Sequence, residues 1–256
     1  MANQPLRNVL ITGSAQRIGR SIAEKFAMMG WNIAVHYSNS KDEAELLTNH
    51  LSKGGIKAVP VRGNLNLERD TADLFPAAAK AIGPITCLIN NASMFELDTL
   101  ETATFDTWER HLAVNLRAPF FLSQALAKNL PEGQDGNIIN IIDQRVWNPT
   151  PWFVSYSVSK SGLWSLTQTL ALAMAPRVRV NGIGPGPTLP SPRQSREDFL
   201  QQEASTPLKR GAPPKEIAEA VEFILSAPAM TGQMIALDGG QHLGWEYPLA
   251  PECPKE

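Results

Sequence analysis

The chain has 256 residues, and its 23 basic and 25 acidic residues leave a formal net charge of -2, with both signs scattered, so no basic patch is available to bind nucleic acid. The apolar run Val9 to Ile11 is too brief for a signal peptide or a membrane span, so we expect a cytoplasmic protein that acts on small molecules and has no membrane partner. Cys87, Cys253 and the 4 histidines match neither a disulfide framework nor a metal-binding pattern, so we expect no metal.

Strand and helix patterns alternate along the chain. Continuous apolar runs predict parallel strands at Val9 to Thr12, Asn32 to Tyr37, Ile56 to Val61, Thr86 to Asn90, Asn137 to Ile142, Val178 to Ile183 and Gln233 to Leu237. Helical periodicity predicts helices at Ile18 to Met29, Asp42 to Lys53, Glu68 to Ala81, Phe105 to Asn129, Val154 to Ala175 and Lys215 to Ser226. This alternation favours a single-domain α/β fold with a doubly wound parallel sheet of about seven strands, helices on both faces and a ligand crevice at the carboxyl ends of the strands.

Two segments depart from this alternation. The stretch from Pro185 to Pro207 is rich in proline and too long for an ordinary connection, so we interpret it as a substrate lid or binding loop. The alternative is a disordered insertion. The tail from Gln241 to Glu256 carries Trp245 and Tyr247, which favour docking over a pocket of this or a neighbouring subunit, whereas the alternative is a frayed terminus.

A glycine-containing turn, Thr12 to Arg20, follows the first predicted strand and leads into a helix. Gly13 permits a tight turn, and Gly19 lets the helix begin close to a dinucleotide pyrophosphate, which free amide N–H groups and the helix dipole would stabilise. The spacing differs from the GxGxxG fingerprint, and a structural turn without a ligand is the alternative. The position between strand and helix favours a cofactor site.

The end of the second strand indicates which cofactor is preferred. An Asp or Glu there would accept hydrogen bonds from the ribose hydroxyls of NAD, but the chain instead has His36-Tyr37-Ser38-Asn39-Ser40-Lys41. These donors, with Arg17 in the preceding turn, suit a dianionic 2′-phosphate and predict NADP(H). The alternative is a polar loop in which Lys41 is solvated.

Tyr156 and Lys160 lie one helical turn apart within the sequence Tyr-Ser-Val-Ser-Lys. A nearby cation stabilises a phenolate and brings the pKa of the phenol toward the working range of an acid–base catalyst. By itself this pair is common on solvated helices, which is the alternative interpretation. Its occurrence together with the glycine turn favours a catalytic role.

Five motifs resemble, in order, the short-chain dehydrogenase/reductases over nearly the whole chain: Gly13 to Gly19, Asn90-Asn91-Ala92, Asn115, Tyr156 to Lys160 and Pro185-Gly186. The resemblance implies a Rossmann-type fold and a homotetramer with the two long helices packed across two-fold axes. It also implies that Asn115 holds a water and proton relay, Tyr156 is the acid–base and Lys160 binds the nicotinamide ribose and lowers the tyrosine pKa. Pro185 and Gly186 would line the nicotinamide.

Asp143 departs from the family pattern, in which a Ser or Thr stands at this position before the tyrosine. A carboxylate would repel a carbonyl oxygen that is becoming an alkoxide, so ketone reduction is disfavoured unless the acid is protonated. A heterocycle with amino and ring N–H groups would instead donate to it. The alternative is that Asp143 caps a helix or pairs with Arg145 or Arg17.

The same departure occurs in the pteridine reductases and the related bacterial dihydromonapterin and dihydrofolate reductases of this fold, which the chain also resembles in Arg17, Ser93 and Phe95. That similarity implies that Phe95 stacks a pterin against the nicotinamide, that Ser93 and Arg17 contact pterin or cofactor phosphate, and that Asp143 handles protons with Tyr156. The alternative for Phe95 is a core aromatic. A planar heterocycle held in this way would keep its reducible C=N bond within reach of hydride.

We therefore expect an NADPH-dependent reductase of a C=N bond in a pterin, dihydropterin or dihydrofolate; the alternatives are a carbonyl or alcohol oxidoreductase and a non-catalytic NADP(H)-binding sensor. The expected catalytic residues are Asn115, Asp143, Tyr156 and Lys160. The expected substrate-binding residues are Arg17, Ser93, Phe95, Asp143 and Tyr156. The expected cofactor-binding residues are Gly13, Arg17, Ile18, Gly19, Tyr37, Ser38, Asn39, Ser40, Asn64, Leu65, Asn91, Ala92, Ser93, Lys160, Pro185 and Gly186.

Overall fold

The computed structural model describes residues 6–191 and 193–244, and strands and helices alternate through this part of the chain. The strands are β1 (Asn8–Ile11), β2 (Asn32–Tyr37), β3 (Ala58–Arg62), β4 (Cys87–Asn90), β5 (Gly136–Ile141), β6 (Val178–Pro185) and β7 (Met234–Leu237). The helices are α1 (Arg17–Met28), α2 (Lys41–Ser52), α3 (Glu68–Ile82), α4 (Phe105–Leu112), α5 (Ala118–Asn129), α6 (Val154–Met174), α7 (Arg196–Ser205) and α8 (Pro214–Ser226). None of these helices has both the length and the apolarity that crossing a membrane requires.

The strands form one seven-stranded sheet in the order β3-β2-β1-β4-β5-β6-β7, and every neighbouring pair is parallel. The chain builds outward from β1 to β3, returns to pair β4 with β1, and then builds in the other direction. This reversal leaves a crevice between the carboxyl ends of β1 and β4. The predicted doubly wound, Rossmann-type α/β fold is confirmed.

Both faces of the sheet are covered, which explains why the strand sequences are apolar without alternation. Val9 and Ile11 pack in one core cluster with Phe26 of α1 and with side chains of α8, whereas Leu10 packs on the opposite face with Phe75 of α3 and with side chains of α5. All three β1 side chains are fully buried. Burying an aliphatic side chain of this size stabilises the fold by about 1.5–3 kcal/mol.

The helix predicted from Phe105 to Asn129 is divided in the structure. A π-helical turn at Ala113–Arg117 separates α4 from α5. Pro119 lies in the first turn of α5 and has no N–H to donate to a carbonyl in the preceding turn, so regular α-helical bonding cannot continue across this point. The widened turn carries Asn115, which is completely buried.

The stretch from Pro185 to Pro207 contains a helix that the periodicity did not predict. Helix α7 begins with a capping box, in which Ser195 and Asp198 each accept a hydrogen bond from the other's backbone N–H. None of its residues is buried, so no apolar stripe marks it in the sequence. Of the tail from Gln241 to Glu256, the structure describes only residues 241–244, in which Gln241–Leu243 form a 3₁₀ turn and the Gly244 carbonyl oxygen accepts a hydrogen bond from Asn148. Trp245 and Tyr247, on which the expected docking depends, lie outside the described residues.

Gly19 packs against the glycine turn with no room for a side chain. A Cβ there would lie 2.4 Å from the Gly13 carbonyl oxygen and 2.6 Å from Nδ2 of Asn91. Gly13 itself adopts a φ of +61°, in the left-handed region that favours glycine. The close approach of α1 to β4 therefore depends on Gly19.

We predict that Gly19→Ala lowers the free energy of unfolding by about 1–3 kcal/mol, because the methyl group must displace backbone atoms. Urea unfolding followed by circular dichroism measures this change. Gly54→Ala is the matched control, since the nearest atom to its Cβ is the Leu51 carbonyl oxygen at 3.3 Å. Equal stability of the two variants would contradict the prediction.

Candidate active site

Two adjoining cavities lie at the carboxyl edge of the sheet. The larger, of about 680 Å³, lies between the turn after β1, the end of β2 and the segment after β4. The smaller, of about 230 Å³, lies between the ends of β5 and β6, helix α6 and the segment that follows β6. Both are lined by Arg17, Ile18, Asn91, Ser93 and Phe95. The two cavities therefore meet along this shared wall and form one crevice.

The structure brings almost all of the predicted site residues to this crevice. The larger cavity is lined by Gly13, Arg17, Ile18, Gly19, Tyr37, Ser38, Asn39, Ser40, Asn64, Leu65, Asn91, Ala92 and Ser93. The smaller is lined by Asp143, Tyr156, Lys160, Pro185 and Gly186. The exception among the predicted residues is Asn115, which lines neither cavity. Which of these residues contact a ligand stays a prediction.

His36 forms a hydrogen bond with the glycine turn, a structural role that the sequence did not indicate. Its Nδ1 accepts the N–H of Gly13 at 2.9 Å, and its Nε2 contacts the Gly63 carbonyl oxygen at 2.9 Å. Because Nδ1 accepts, the neutral ring carries its proton on Nε2 and donates it to Gly63. Burial lowers the pKa of His36 to about 4. The neutral imidazole thus joins the turn after β1 to the loop after β3.

Arg17 adopts a φ of +53°, an uncommon conformation for a non-glycine residue. Its guanidinium donates to the carbonyl oxygens of Pro190 and Leu189, at 2.9 and 3.2 Å. The turn after β1 is therefore tied to the segment after β6. Lys41 is exposed and its ammonium lies 3.6 Å from Glu45 on the same helix.

Tyr156 and Lys160 lie on one face of α6 and both are buried, so the solvated interpretation of this pair is wrong. The Tyr156 hydroxyl donates to Oδ2 of Asp143 at 2.7 Å, and the Lys160 ammonium donates to the Ile141 carbonyl oxygen at 2.8 Å. Nζ of Lys160 lies 5.8 Å from the centre of the tyrosine ring. The predicted Tyr156 and Lys160 pair therefore lines the smaller cavity.

The expected lowering of the tyrosine pKa is not found. Burial, and then the negative charge of Asp143, hold the pKa of Tyr156 well above its ordinary value. Burial lowers the pKa of Lys160 to about 8, although the nearby Asp143 opposes this shift. The expected effect of Lys160 on the tyrosine pKa is therefore outweighed, because the Asp143 carboxylate contacts the phenol directly. The Tyr156 hydroxyl therefore keeps its proton in the resting site.

Asp143 uses its two oxygens differently. Oδ1 accepts the N–H of Arg145 at 2.8 Å and caps the 3₁₀ turn Gln144–Val146, and it lies 3.9 Å from Nε of Arg145. Oδ2 faces Tyr156. Oδ1 therefore both caps the 3₁₀ turn and pairs with Arg145, which were the two alternatives for Asp143. They orient the carboxylate so that the other oxygen faces the cavity.

Phe95 lies at the junction of the two cavities and is partly exposed, unlike a core aromatic. Its ring stacks on Phe153 with centroids 4.6 Å apart and meets the Tyr156 ring edge-on at 4.7 Å. Phe153 is buried in the left-handed conformation at φ +58°, and its N–H donates to the Asp98 carbonyl oxygen at 2.8 Å. Phe153 covers one face of Phe95, and the guanidinium of Arg193 lies 5.5 Å from the ring centre. Ser93 is exposed beside it.

Asn115 stands behind the cavity wall. Its Nδ2 donates to the Met94 carbonyl oxygen and to Oγ of Ser159, each at 2.9 Å, and its Oδ1 accepts the N–H of Met94 at 2.8 Å. The side chain therefore positions residue 94 and helix α6.

Among residues 6–191 and 193–244, no group of three or more His, Cys, Asp or Glu side chains is arranged to hold a metal ion.

Comparisons with known proteins agree with this architecture. The family model described as short chain dehydrogenase matches residues 7–200. The crystal structure of FolM alternative dihydrofolate reductase 1 from Brucella suis, in complex with NADP, is 47% identical, has a TM-score of 0.91 and covers 97% of this chain and 99% of its own. The corresponding Brucella canis protein with NADP is 46% identical, with a TM-score of 0.89 and coverage of 96% and 98%.

A more distant relative shows how widely the fold is used. The 3-oxoacyl-[acyl-carrier-protein] reductase FabG of Staphylococcus epidermidis is 28% identical over 242 residues, which is 93% of this chain and 99% of the relative. The similarity therefore extends over nearly the whole chain to reductases with different named substrates. The substrate has to be argued from the site itself.

We predict that acid destabilises the fold through His36. Its pKa is about 4 in the folded chain, against an ordinary value of 6.5, so the unfolded chain binds this proton first. The stability contributed by neutral His36 is complete above pH 6.5 and is lost as the pH falls toward 4, by about 2 kcal/mol at pH 5.

Urea unfolding at pH 7 and pH 5 measures this loss in the wild type and in His36→Asn. The asparagine can still accept the Gly13 N–H but does not titrate. Its stability should therefore change less between the two pH values. The same pH dependence in both proteins would refute this role for His36.

Proposed function

The chain belongs to the short-chain dehydrogenase family, and we propose that it is an NADPH-dependent reductase that transfers hydride to a C=N bond of a pterin, dihydropterin or dihydrofolate. The observation that carries the proposal is the hydrogen bond from Tyr156 to Asp143, beside the partly exposed ring of Phe95. The two Brucella proteins, described as dihydrofolate reductases in complex with NADP, support it.

The carboxylate of Asp143 selects for a nitrogenous ring. Reduction of a ketone builds negative charge on oxygen, which a carboxylate in the same cavity opposes. Reduction of a C=N bond places the new proton on nitrogen, and amino and ring N–H groups of a pterin donate hydrogen bonds that a carboxylate accepts. The site chemistry therefore favours a heterocycle rich in N–H donors.

The larger cavity fits a dinucleotide, and we propose NADP(H). The end of β2 has no acidic residue to accept the ribose hydroxyls of NAD, and Tyr37, Ser38, Asn39 and Ser40 offer hydroxyl and amide groups there. The turn from Gly13 to Gly19 presents backbone N–H groups at the start of α1. When bound, this cofactor supplies the hydride.

The chain's own residues supply and position protons. The hydroxyl of Tyr156 keeps its proton in the resting site and gives it to the substrate nitrogen as carbon accepts hydride, so the product gains one C–H and one N–H bond. The buried ammonium of Lys160 stabilises the phenolate that remains. Asp143 holds the hydroxyl in place and accepts N–H groups of the substrate. Phe95 provides a face on which the ring lies.

The two alternatives remain testable. A carbonyl oxidoreductase is favoured by the relative FabG, named as a 3-oxoacyl-[acyl-carrier-protein] reductase. A non-catalytic NADP(H) sensor is disfavoured, because burying a phenol and an ammonium beside a mostly buried carboxylate is costly without a catalytic use.

We propose a homotetramer, as the family resemblance implies. Phe120 and Phe121 on α5 and Val158 and Leu172 on α6 are exposed apolar side chains of the two long helices, with 84% of the Leu172 surface exposed. Such side chains are typical of surfaces that pack against other subunits.

We propose the cytoplasm as the compartment, since Cys87 is a buried thiol rather than half of a disulfide.

We predict that the wild-type protein oxidises NADPH when given dihydrobiopterin, dihydromonapterin or dihydrofolate. Asp143→Ser should lower kcat/KM for the pterin by about 100-fold while sparing or raising that for a simple ketone, because the serine removes the charge that opposes an alkoxide. Absorbance at 340 nm measures both reactions.

Tyr156→Phe should lower the pterin rate by about 100-fold or more, since the proton donor is lost. A wild-type enzyme that reduces simple ketones but no pterin would establish the carbonyl oxidoreductase instead. Tyr156→Phe with every activity unchanged would favour the sensor.

We predict a mass four times that of one chain in light scattering after size exclusion. Phe121→Glu should lower the measured mass, because the introduced charge would be buried in the contact between subunits. Leu46→Glu, at an exposed leucine of α2, is the matched control. A wild-type mass equal to that of one chain would contradict the prediction.

A further inference from the structure

Two hydrogen-bonded pairs, one helical turn apart, connect the helical stretch α4 to α5 with α6. Nδ1 of His111 lies 2.7 Å from Oγ of Ser155, and Nδ2 of Asn115 donates to Oγ of Ser159 at 2.9 Å. All four side chains are almost completely buried. We call these the His111 pair and the Asn115 pair. Together they fix the N-terminal half of α6, which carries Tyr156.

Each pair also holds the segment that follows β4. Asn115 bonds both the N–H and the carbonyl oxygen of Met94. Nε2 of His111 accepts the N–H of Glu96 at 3.1 Å. The residue between these two fixed positions is Phe95, whose backbone is therefore held on both sides from the same helical stretch.

The contact with Glu96 determines the protonation state of His111. Nε2 accepts only when it carries no proton, so the neutral ring bears its proton on Nδ1, which is also 2.9 Å from the Thr107 carbonyl oxygen. Burial lowers the pKa of His111, although nearby Asp98 and Glu96 oppose the shift. Ser155 in turn donates its hydroxyl to the buried carboxylate of Asp98.

This network lies against the reactive groups. The His111 and Tyr156 rings are in edge-on contact, with centroids 6.1 Å apart, and Phe95 meets Tyr156 at 4.7 Å. A shift of the Phe95 backbone would therefore move the face on which a substrate ring lies relative to the proton donor. Misplacement by about 1 Å is enough to cost a large part of the rate.

We propose that His111 is a positioning residue: by accepting the N–H of Glu96 it fixes the Phe95 ring against Tyr156 and so sets the binding site for a planar substrate. This inference rests on the proposed pterin reduction. His111 lines neither cavity, and its route to the Phe95 ring is the backbone of the segment after β4. It is separate from the Asn115 pair, which holds Met94.

The test compares His111→Asn with His111→Gln. Asparagine places its amide near the position of Nδ1 and keeps the contact with Ser155 but cannot reach Glu96. Glutamine places its amide oxygen near the position of Nε2 and can accept the Glu96 N–H. Both are neutral and polar, so both suit the buried site better than an aliphatic residue does.

With dihydrobiopterin and NADPH, we expect His111→Asn to raise KM for the pterin by about tenfold, as the loss of one hydrogen bond implies. Its kcat should fall by less, and its KM for NADPH should stay within about twofold of the wild type, because the bond concerns the substrate face and not the nucleotide turn. His111→Gln should restore the pterin KM to within about threefold. Thermal unfolding checks that both variants fold, and His50→Asn, at an exposed histidine of α2, is the control.

Three results would overturn the proposal. The first is an unchanged pterin KM in His111→Asn, with only the melting temperature lowered. The second is the same KM in His111→Asn and His111→Gln, and the third is an equal rise in the KM values for pterin and NADPH. In all three the wild type still reduces pterin, so the proposed function stands. A wild type that turns over no pterin removes both proposals.

Discussion

The hydrogen bond from the Tyr156 hydroxyl to Asp143 is the interaction on which the chemistry of this protein depends. It joins the end of β5 to α6, and it places a proton donor and a hydrogen-bond acceptor side by side in a buried cavity. Burial and the adjacent negative charge keep the phenol protonated. The Arg145 guanidinium, 3.9 Å from the other oxygen of Asp143, and the Lys160 ammonium, bonded to the main chain of β5, supply compensating positive charge.

Two buried neutral imidazoles hold the loops around that bond. His36 accepts from the glycine turn of the cofactor cavity, and His111 accepts from the segment that carries Phe95. Burial is the largest cause of the lowered pKa in both cases. An imidazole ring suits this use because one nitrogen accepts while the other donates, so one side chain can join two separate pieces of backbone.

The segment after β6 closes the crevice through arginine contacts with backbone oxygens. Arg17 reaches from the glycine turn to Pro190, and Arg193 donates to the carbonyl oxygen of Phe95 at 2.9 Å. The guanidinium of Arg193 also lies 5.5 Å from the centre of the Phe95 ring. These contacts support the interpretation of this segment as a binding loop. They place positive charge near an aromatic face, where an electron-rich ring would be stabilised.

The sequence by itself determined the sheet, because strands covered on both faces must be apolar throughout and the helices between them carry apolar stripes. It also singled out Gly13, Asp143, Tyr156 and Lys160, through their positions after strands and along one helix and through the family pattern that they resemble or depart from. Tertiary structure alone decided the rest. The direction of the Tyr156 pKa shift depends on burial and on the carboxylate that contacts the hydroxyl, and neither is written in local spacing. The functions of His36 and His111 arise from contacts between residues far apart in the chain, for which a lone histidine gives no signal.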